Sequence, residues 1–305
     1  MKKPRVAPDP DLLFKAVLNE NRLSVSSHRF FLDSLTKLLP PPRGTRYRYG
    51  TLAGVRVKWV GGFSEGSQRL IFYLHGGGYI MGSARTHRFL AAHLCRAVGA
   101  KALLVDYRLA PEHPFPAALD DALAVYRFLL SHGVNPRNII VAGDSAGGGL
   151  SLALMHALKQ TGEPLPAAAY LMSPWVDLTP SRRPFFGYKN SRFVVDWSAD
   201  MLAALYCAGN DPEHPFLSPL FGDFSGFPPM VVTAGRFEPL RRDGALLAQK
   251  ARDQGVEVLF QHYRSPIHVV QGLAPLSPGV RRMIRRHAEF LQQNCPGTDG
   301  RGKAR

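Results

Sequence analysis

The segment from Asn138 to Lys159 constrains the fold more than any other stretch of the chain. An apolar run, Ile139-Ile140-Val141-Ala142, enters Gly143-Asp144-Ser145-Ala146-Gly147 and leaves as Leu150 to Lys159, apolar nearly all round. A short apolar run closed by glycine reads as a buried strand, and a helix without a polar face must be covered on every side. A buried strand that turns within five residues into a buried helix belongs to a sheet with helices packed on both faces.

The same alternation runs through most of the chain. Strands are predicted at Val55 to Val60, Arg69 to Leu74, Lys101 to Asp106, Asn138 to Ala142, Ala167 to Met172, Met230 to Ala234 and Val256 to Tyr263. Helices are predicted at Ala84 to Val98, Ala117 to Ser131, Leu150 to Lys159, Gly244 to Gln254 and Val280 to Gln293. Strands alternating with helices predict an α/β fold with a mostly parallel, doubly wound central sheet.

With 305 residues, 45% of them hydrophobic, the chain sits near the upper end of what one core supports, so one main domain is expected. It is placed at residues 46–293. Before it, Leu12, Leu13, Phe14, Val17 and Leu18, then Phe30, Phe31, Leu32, Leu35 and Leu38, predict one or two amphipathic cap helices over residues 1–45. The alternation breaks at about 178–226, a stretch rich in aromatic residues, Met and Pro that suits a lid near the C-terminal ends of strands. Residues 294–305 read as a basic flexible tail.

Lysine and arginine outnumber aspartate and glutamate by 38 to 23, a formal charge of +15. Such an excess suits a polyanion. The basic residues are nevertheless scattered, apart from Arg281, Arg282, Arg285 and Arg286 and the tail from Arg301 to Arg305, and no aromatic-basic motif accompanies them. The expectation is a solvated basic surface, with no nucleic acid as main partner. Cys95, Cys207 and Cys295 are too far apart for a zinc motif and odd in number for a disulfide set, so they read as reduced structural residues. The basic start, Met1-Lys2-Lys3, leads into prolines and aspartates rather than an apolar stretch, and no run reaches the roughly 18 apolar residues of a membrane span. A cytoplasmic location without a membrane partner is expected.

Gly143 to Gly147 has the G-x-S-x-G pattern of a nucleophile elbow, placed between strand and helix as that motif requires. Ser145 is the expected nucleophile, at a helix N-terminus that favours developing negative charge. His75-Gly76-Gly77-Gly78, directly after the strand ending at Leu74, matches a glycine-rich oxyanion loop. Gly77, Gly78 and Ala146 are the expected N–H donors, with Gly76 in the same loop, and His75 is expected to order the loop rather than act as base. Of the histidines after Ser145, His156 and His287 fall on helices, His262 within a strand, and His214 in the insertion. His268 lies in a loop just past the last strand, where a triad base belongs. For the acid, Glu238 and Asp243 both follow the strand Met230 to Ala234. Glu238 is nearer the strand end, and Asp243 also suits a cap for a helix starting near Gly244. Trp197, Met201, Leu202 and Leu205, with Phe185, are expected to line a substrate pocket.

These motifs, together with Asp106-Tyr107-Arg108-Leu109-Ala110-Pro111-Glu112-His113-Pro114 and Ser173-Pro174-Trp175-Val176-Asp177-Leu178, resemble the hormone-sensitive-lipase-like family of esterases, the bacterial family IV lipolytic enzymes. The resemblance covers about residues 50 to 293. It implies an α/β-hydrolase fold, hydrolysis of short- to medium-chain acyl esters, no cofactor or metal, a helical cap, and frequent homodimerisation through the last strand and helix. Glu238-Pro239-Leu240 stands where the family often has Asp-Pro-Leu, and the residue after His268 is valine where glycine is usual. Asp106 and Asp144 fit structural family positions, and Tyr79 and Asp144 lie beside the substrate. Two alternatives share the motifs: an amidase or deacetylase of a specialised metabolite, and a non-catalytic ligand-binding homologue.

Overall fold

The computed structural model describes residues 25–62, 66–180 and 199–297. Eight strands form one sheet: β1 (Arg46–Leu52), β2 (Val55–Gly61), β3 (Leu70–Leu74), β4 (Lys101–Val105), β5 (Ile139–Asp144), β6 (Ala168–Met172), β7 (Met230–Gly235) and β8 (Val258–Tyr263). Their spatial order is β1-β2-β4-β3-β5-β6-β7-β8. β1 and β2 are antiparallel to their neighbours, and every pair from β4 to β8 is parallel.

The inner strands β3 to β7 are buried on both faces, with alternate side chains entering two separate cores. Leu70, Phe72 and Leu74 of β3 and Ile139 and Val141 of β5 enter one; Ile71, Tyr73, Ile140 and Ala142 enter the other. This is the two-residue period of a pleated strand with no solvent face. Among the described residues, seven α-helices accompany the sheet: α1 (Val25–Lys37), α2 (Arg88–Val98), α3 (Ala117–Ser131), α4 (Ala146–Gln160), α5 (Ala199–Cys207), α6 (Arg241–Asp253) and α7 (Pro278–Asn294). α4 is buried along almost its whole length, as its lack of a polar face requires.

Strand register decides where loops meet. Leu74 pairs with Gly143, so the loops after β3 and β5 leave the sheet side by side. Gly235 pairs with Tyr263, which does the same for the loops after β7 and β8. All four open at the C-terminal edge of the parallel strands, the edge at which such sheets bind ligands.

The structure moves several predicted boundaries. α2 begins at Arg88 rather than Ala84: residues 84–87 form a separate turn, in which Ser83 and Thr86 exchange side-chain hydrogen bonds with each other's N–H, at 2.8 and 3.1 Å, His87 N–H donates to Ser83 O at 3.2 Å, and Ala84 N–H donates to Asp106 Oδ1. α6 begins at Arg241, three residues before Gly244, so Asp243 lies inside its first turn rather than capping it. β1 was not predicted: its polar sequence lies on the sheet edge and is mostly exposed. In α1, Phe30 and the following Leu38 are 73% and 80% exposed, so the helix does not bury all its predicted apolar positions. What joins it to the body is Arg29, which donates to the carbonyls of Ile80 and Ala110 at 2.7 and 2.9 Å and forks onto Glu112 at 2.9 and 2.8 Å. Among the described residues no helix is long and apolar enough to cross a membrane. All three cysteines are buried and free.

Candidate active site

Ser145 occupies the one-residue corner between β5 and α4, with φ 52° and ψ −123°. A non-glycine residue there costs on the order of 1–3 kcal/mol, so its surroundings must hold it. Its N–H donates to Met172 O at 2.9 Å, and its carbonyl accepts from Gly148, Gly149 and Trp175 at 3.0, 3.2 and 2.9 Å. Gly147 is required because a Cβ would run into the Leu74 carbonyl oxygen, where the elbow presses on β3.

The loop after β3 is tied down from beneath. Gly77 adopts φ +121°, and its carbonyl accepts from Ile80 and Met81 at 3.2 and 3.0 Å. His75, fully buried, stacks on Tyr107 with centroids 4.2 Å apart and the planes 11° from parallel, and its Nδ1 lies 2.9 Å from Gly76 O. Burial, then the neighbouring His87 charge, lowers its pKa to about 3, so the ring is a neutral wedge.

Asp144, next to the nucleophile, holds three groups. Its carboxylate accepts from Tyr73 OH at 2.6 Å, from Gly76 N–H at 3.1 Å, and from His87 Nε2 at 3.3 Å. Gly76 N–H is therefore already engaged, which separates it from Gly77 and Gly78 as a donor to a substrate. His87 Nδ1 lies 3.3 Å from Ser83 O. The nearer partner of that nitrogen is Thr86 Oγ1, at 2.8 Å, so both the neutral and the protonated ring find partners here, and the carboxylate favours the protonated, charged form. Burial opposes that charge, but the charge and hydrogen bond of Asp144 outweigh it and raise the His87 pKa. Burial likewise acts to raise the Asp144 pKa, and His87 and Tyr73 overcome it and lower it.

At the other end, Glu238 is wholly buried in the turn after β7. Its Oε1 accepts from Gly235 N–H at 2.6 Å, while Oε2 lies 2.8 Å from His268 Nδ1. Asp243 points elsewhere, its Oδ2 accepting from Val176 N–H at 3.3 Å. The sequence left two acids open, and the one whose carboxylate meets His268 is Glu238.

Ser145 and His268 line one cavity of about 260 Å³, together with Gly77, Gly78, Asp144, His87 and Leu202. Leu202 reaches it because α5 lies over the loop after β3: a Cβ on Gly78 would be 2.9 Å from Leu202 Cδ1. Of the other expected pocket residues, Tyr79, Met201 and Leu205 are not among the described residues that line it. Tyr79 is buried face to face on Tyr206, centroids 3.7 Å apart, and Leu205 and Met201 pack with the core. Phe185 and Trp197 lie outside the described residues. Leu32 and Thr36 of α1, and Thr86, His87, Phe89 and Leu90 around the start of α2, also line the cavity and were not foreseen. No spacing pattern marks them, although the bulky apolar Leu32 on an amphipathic helix was the available signal.

A buried serine at a strained elbow, a glycine-lined loop beside it, and a histidine held by a buried carboxylate in the same cavity define a serine hydrolase of the carboxylesterase type. The chain belongs to the α/β-hydrolase family, among the esterases of hormone-sensitive-lipase type: the family model described as alpha/beta hydrolase fold matches residues 71–272. An acetyl-hydrolase of Streptomyces hygroscopicus is 41% identical over 244 residues, 79% of this chain and 81% of the relative. An esterase of Acinetobacter venetianus is 35% identical over 283 residues, 91% and 93% of the two chains. A crystal structure of an esterase from the bacterial hormone-sensitive lipase family superposes with a TM-score of 0.83 at 36% identity, covering 95% of this chain and 99% of the other.

Proposed function

We propose that the chain hydrolyses carboxylic esters with short to medium acyl groups by way of an acyl-enzyme on Ser145. The observation that carries the reading is the 2.8 Å contact between Glu238 Oε2 and His268 Nδ1, with His268 and Ser145 in one cavity. Glu238 keeps the proton on Nδ1, so Nε2 is the basic nitrogen. Ser145 Oγ attacks the ester carbonyl carbon as His268 Nε2 takes its proton. The N–H groups of Gly77, Gly78 and Ala146 receive the oxyanion, and Gly76, engaged with Asp144, acts only by holding the loop. His268 then protonates the departing alcohol. Water, deprotonated by the same nitrogen, releases the acid and restores the hydroxyl.

A cavity of about 260 Å³ is at the small end for ligand sites, which favours a short acyl group. Leu202, the Asp144 and His87 wall, and α1 above would bound it. Dimerisation through β8 and α7 belongs to the same proposal: β8 ends the sheet and exposes Leu259. A second reading, removal of an acetyl group from an amide or ester of a larger metabolite, draws on the similarity to an acetyl-hydrolase.

The test is hydrolysis of p-nitrophenyl acetate, butyrate, hexanoate and laurate, and of the matching anilides, by the wild type and by Ser145→Ala, Glu238→Ala and His268→Ala. A related esterase structure, EstE5, was soaked with p-nitrophenyl butyrate, which makes that ester a reasonable reference. The proposal expects activity on the shorter esters and its collapse in all three variants. Turnover of anilides alone would favour the deacetylase reading, and folded protein inert on both series would overturn the assignment.

A further inference from the structure

A second cavity, of about 870 Å³, shares no lining residue with the one at Ser145. His93 and Arg96 of α2 form one wall and Arg281, Ile284 and Arg285 of α7 another, with Arg43 at one side. The spacings of three and four residues put these groups on single helix faces, so two packed helices turn cationic faces toward one gap. Among the described residues, no aspartate or glutamate lines it.

Pairing does not explain the charge. Arg281 Nη1 donates to the carbonyls of Ala274 and Pro275, at 2.7 and 3.3 Å, which fixes the guanidinium and neutralises nothing. Among the described residues, no ion pair engages Arg43, Arg96 or Arg285. His93 Nε2 is buried and has no hydrogen-bond partner among them. Burial, then the charges of Arg281 and Arg96, lowers the His93 pKa to about 4, so the cluster holds this ring neutral. Like charges gathered without a counterion repel, and an anion entering the gap relieves that repulsion.

The remaining wall indicates the ligand's other half. Pro40, Pro41, Pro42 and Pro275 supply a stiff apolar surface with almost no side-chain entropy to lose. Guanidinium groups match phosphoryl oxygens with paired N–H donors and a full counter-charge.

We propose that the cleft between α2 and α7 binds a soluble organic phosphate, its phosphoryl group among Arg96, Arg281 and Arg285 and its carbon body on the proline wall. Two of the four arginines that the sequence clusters on the last helix, Arg281 and Arg285, thereby acquire a role.

Isothermal titration of the full chain with phenyl phosphate, inorganic phosphate and phenol tests this. The wild type is expected to bind phenyl phosphate more tightly than inorganic phosphate, and phenol not at all. A charged hydrogen bond is worth about 1.5–3 kcal/mol, so the double variant Arg96→Gln/Arg285→Gln should weaken binding by roughly tenfold or more. Arg242→Gln, exposed and outside the cleft, should leave it unchanged, and a thermal melt checks that each variant is folded. Neither readout involves Ser145. Unchanged affinity in a folded double variant, an equal loss in Arg242→Gln, or adsorption to phosphatidylglycerol vesicles without binding of either soluble phosphate would overturn the proposal.

Discussion

Replacing Glu238 by glutamine probes the site at its most buried link. The glutamine can keep its carbonyl oxygen on Gly235 N–H, the 2.6 Å bond that fixes the turn, so the fold should survive. Its amide NH2 then faces His268 Nδ1, where a carboxylate oxygen stood at 2.8 Å. Two N–H groups cannot share that distance, so the imidazole gives up the Nδ1 proton and carries it on Nε2. The nitrogen that should receive the Ser145 proton is then already protonated. The equivalent carboxylate-to-amide change in a Ser-His-Asp protease lowers kcat roughly 10,000-fold, about 5 kcal/mol of transition-state stabilisation. The assay is kcat on p-nitrophenyl butyrate, with 15N chemical shifts of His268 reporting the tautomer. Glu238→Asp, one methylene too short to reach Gly235 and His268 together, should fall between the two. Near-wild-type kcat in Glu238→Gln, with collapse in Asp243→Asn instead, would refute the reasoning.

Three further outcomes are expected. Asp144→Asn removes the carboxylate that holds Tyr73, Gly76 and His87 together and should cost about 1–3 kcal/mol in urea unfolding, with a loss of kcat as the Gly76 anchor weakens; an unchanged midpoint would contradict it. Acid should destabilise the fold: burial lowers His75 to about 3 and His156 and His287 to about 4, so between pH 6.5 and those values the unfolded chain binds protons that the folded chain refuses. Their stabilisation is complete above pH 6.5 and is lost on the way down, on the order of 1–2 kcal/mol each by pH 5, whereas the raised His87 works in the opposite sense and loses its contribution as pH rises. His93, which burial lowers to about 4, acts with these three, and four groups outweigh one, so Tm should fall from pH 7 to 5, and a flat or rising Tm would contradict this. Leu202→Phe, filling the cavity beside Gly78, should lower hexanoate against acetate turnover about tenfold, with Leu202→Ala shifting the preference the other way; an unaltered ratio would remove Leu202 from the acyl wall.

Much of the architecture is legible in the sequence because buried parallel strands and an all-apolar helix leave few other ways to hide their surface. β1 is not, since Arg46 to Leu52 is a polar edge strand whose existence rests on pairing with β2 across the turn at Ala53 and Gly54. Ser145, Gly77, Gly78 and His268 are readable because their chemistry needs particular residues at particular strand ends. The pairing of Asp144 with His87 is not, being made between segments 57 positions apart by register rather than by motif. Pocket walls are least legible of all: Leu202 lines the cavity and Leu205 does not, a difference set by how α5 rests on the oxyanion loop. Leu32 and Thr36 are held there by Arg29, which ties α1 to Ile80, Ala110 and Glu112, by the Arg85–Asp33 ion pair and by the Arg88 bond to Thr36 O.

Acyl transfer to Ser145 is tested most directly by acid-quenching the enzyme during turnover of p-nitrophenyl butyrate and weighing the intact protein, then its peptides. The expected result is one butyryl group, mapped to the peptide containing Ser145 and absent from Ser145→Ala. A butyryl group on another residue, or undiminished turnover by Ser145→Ala, would contradict the mechanism.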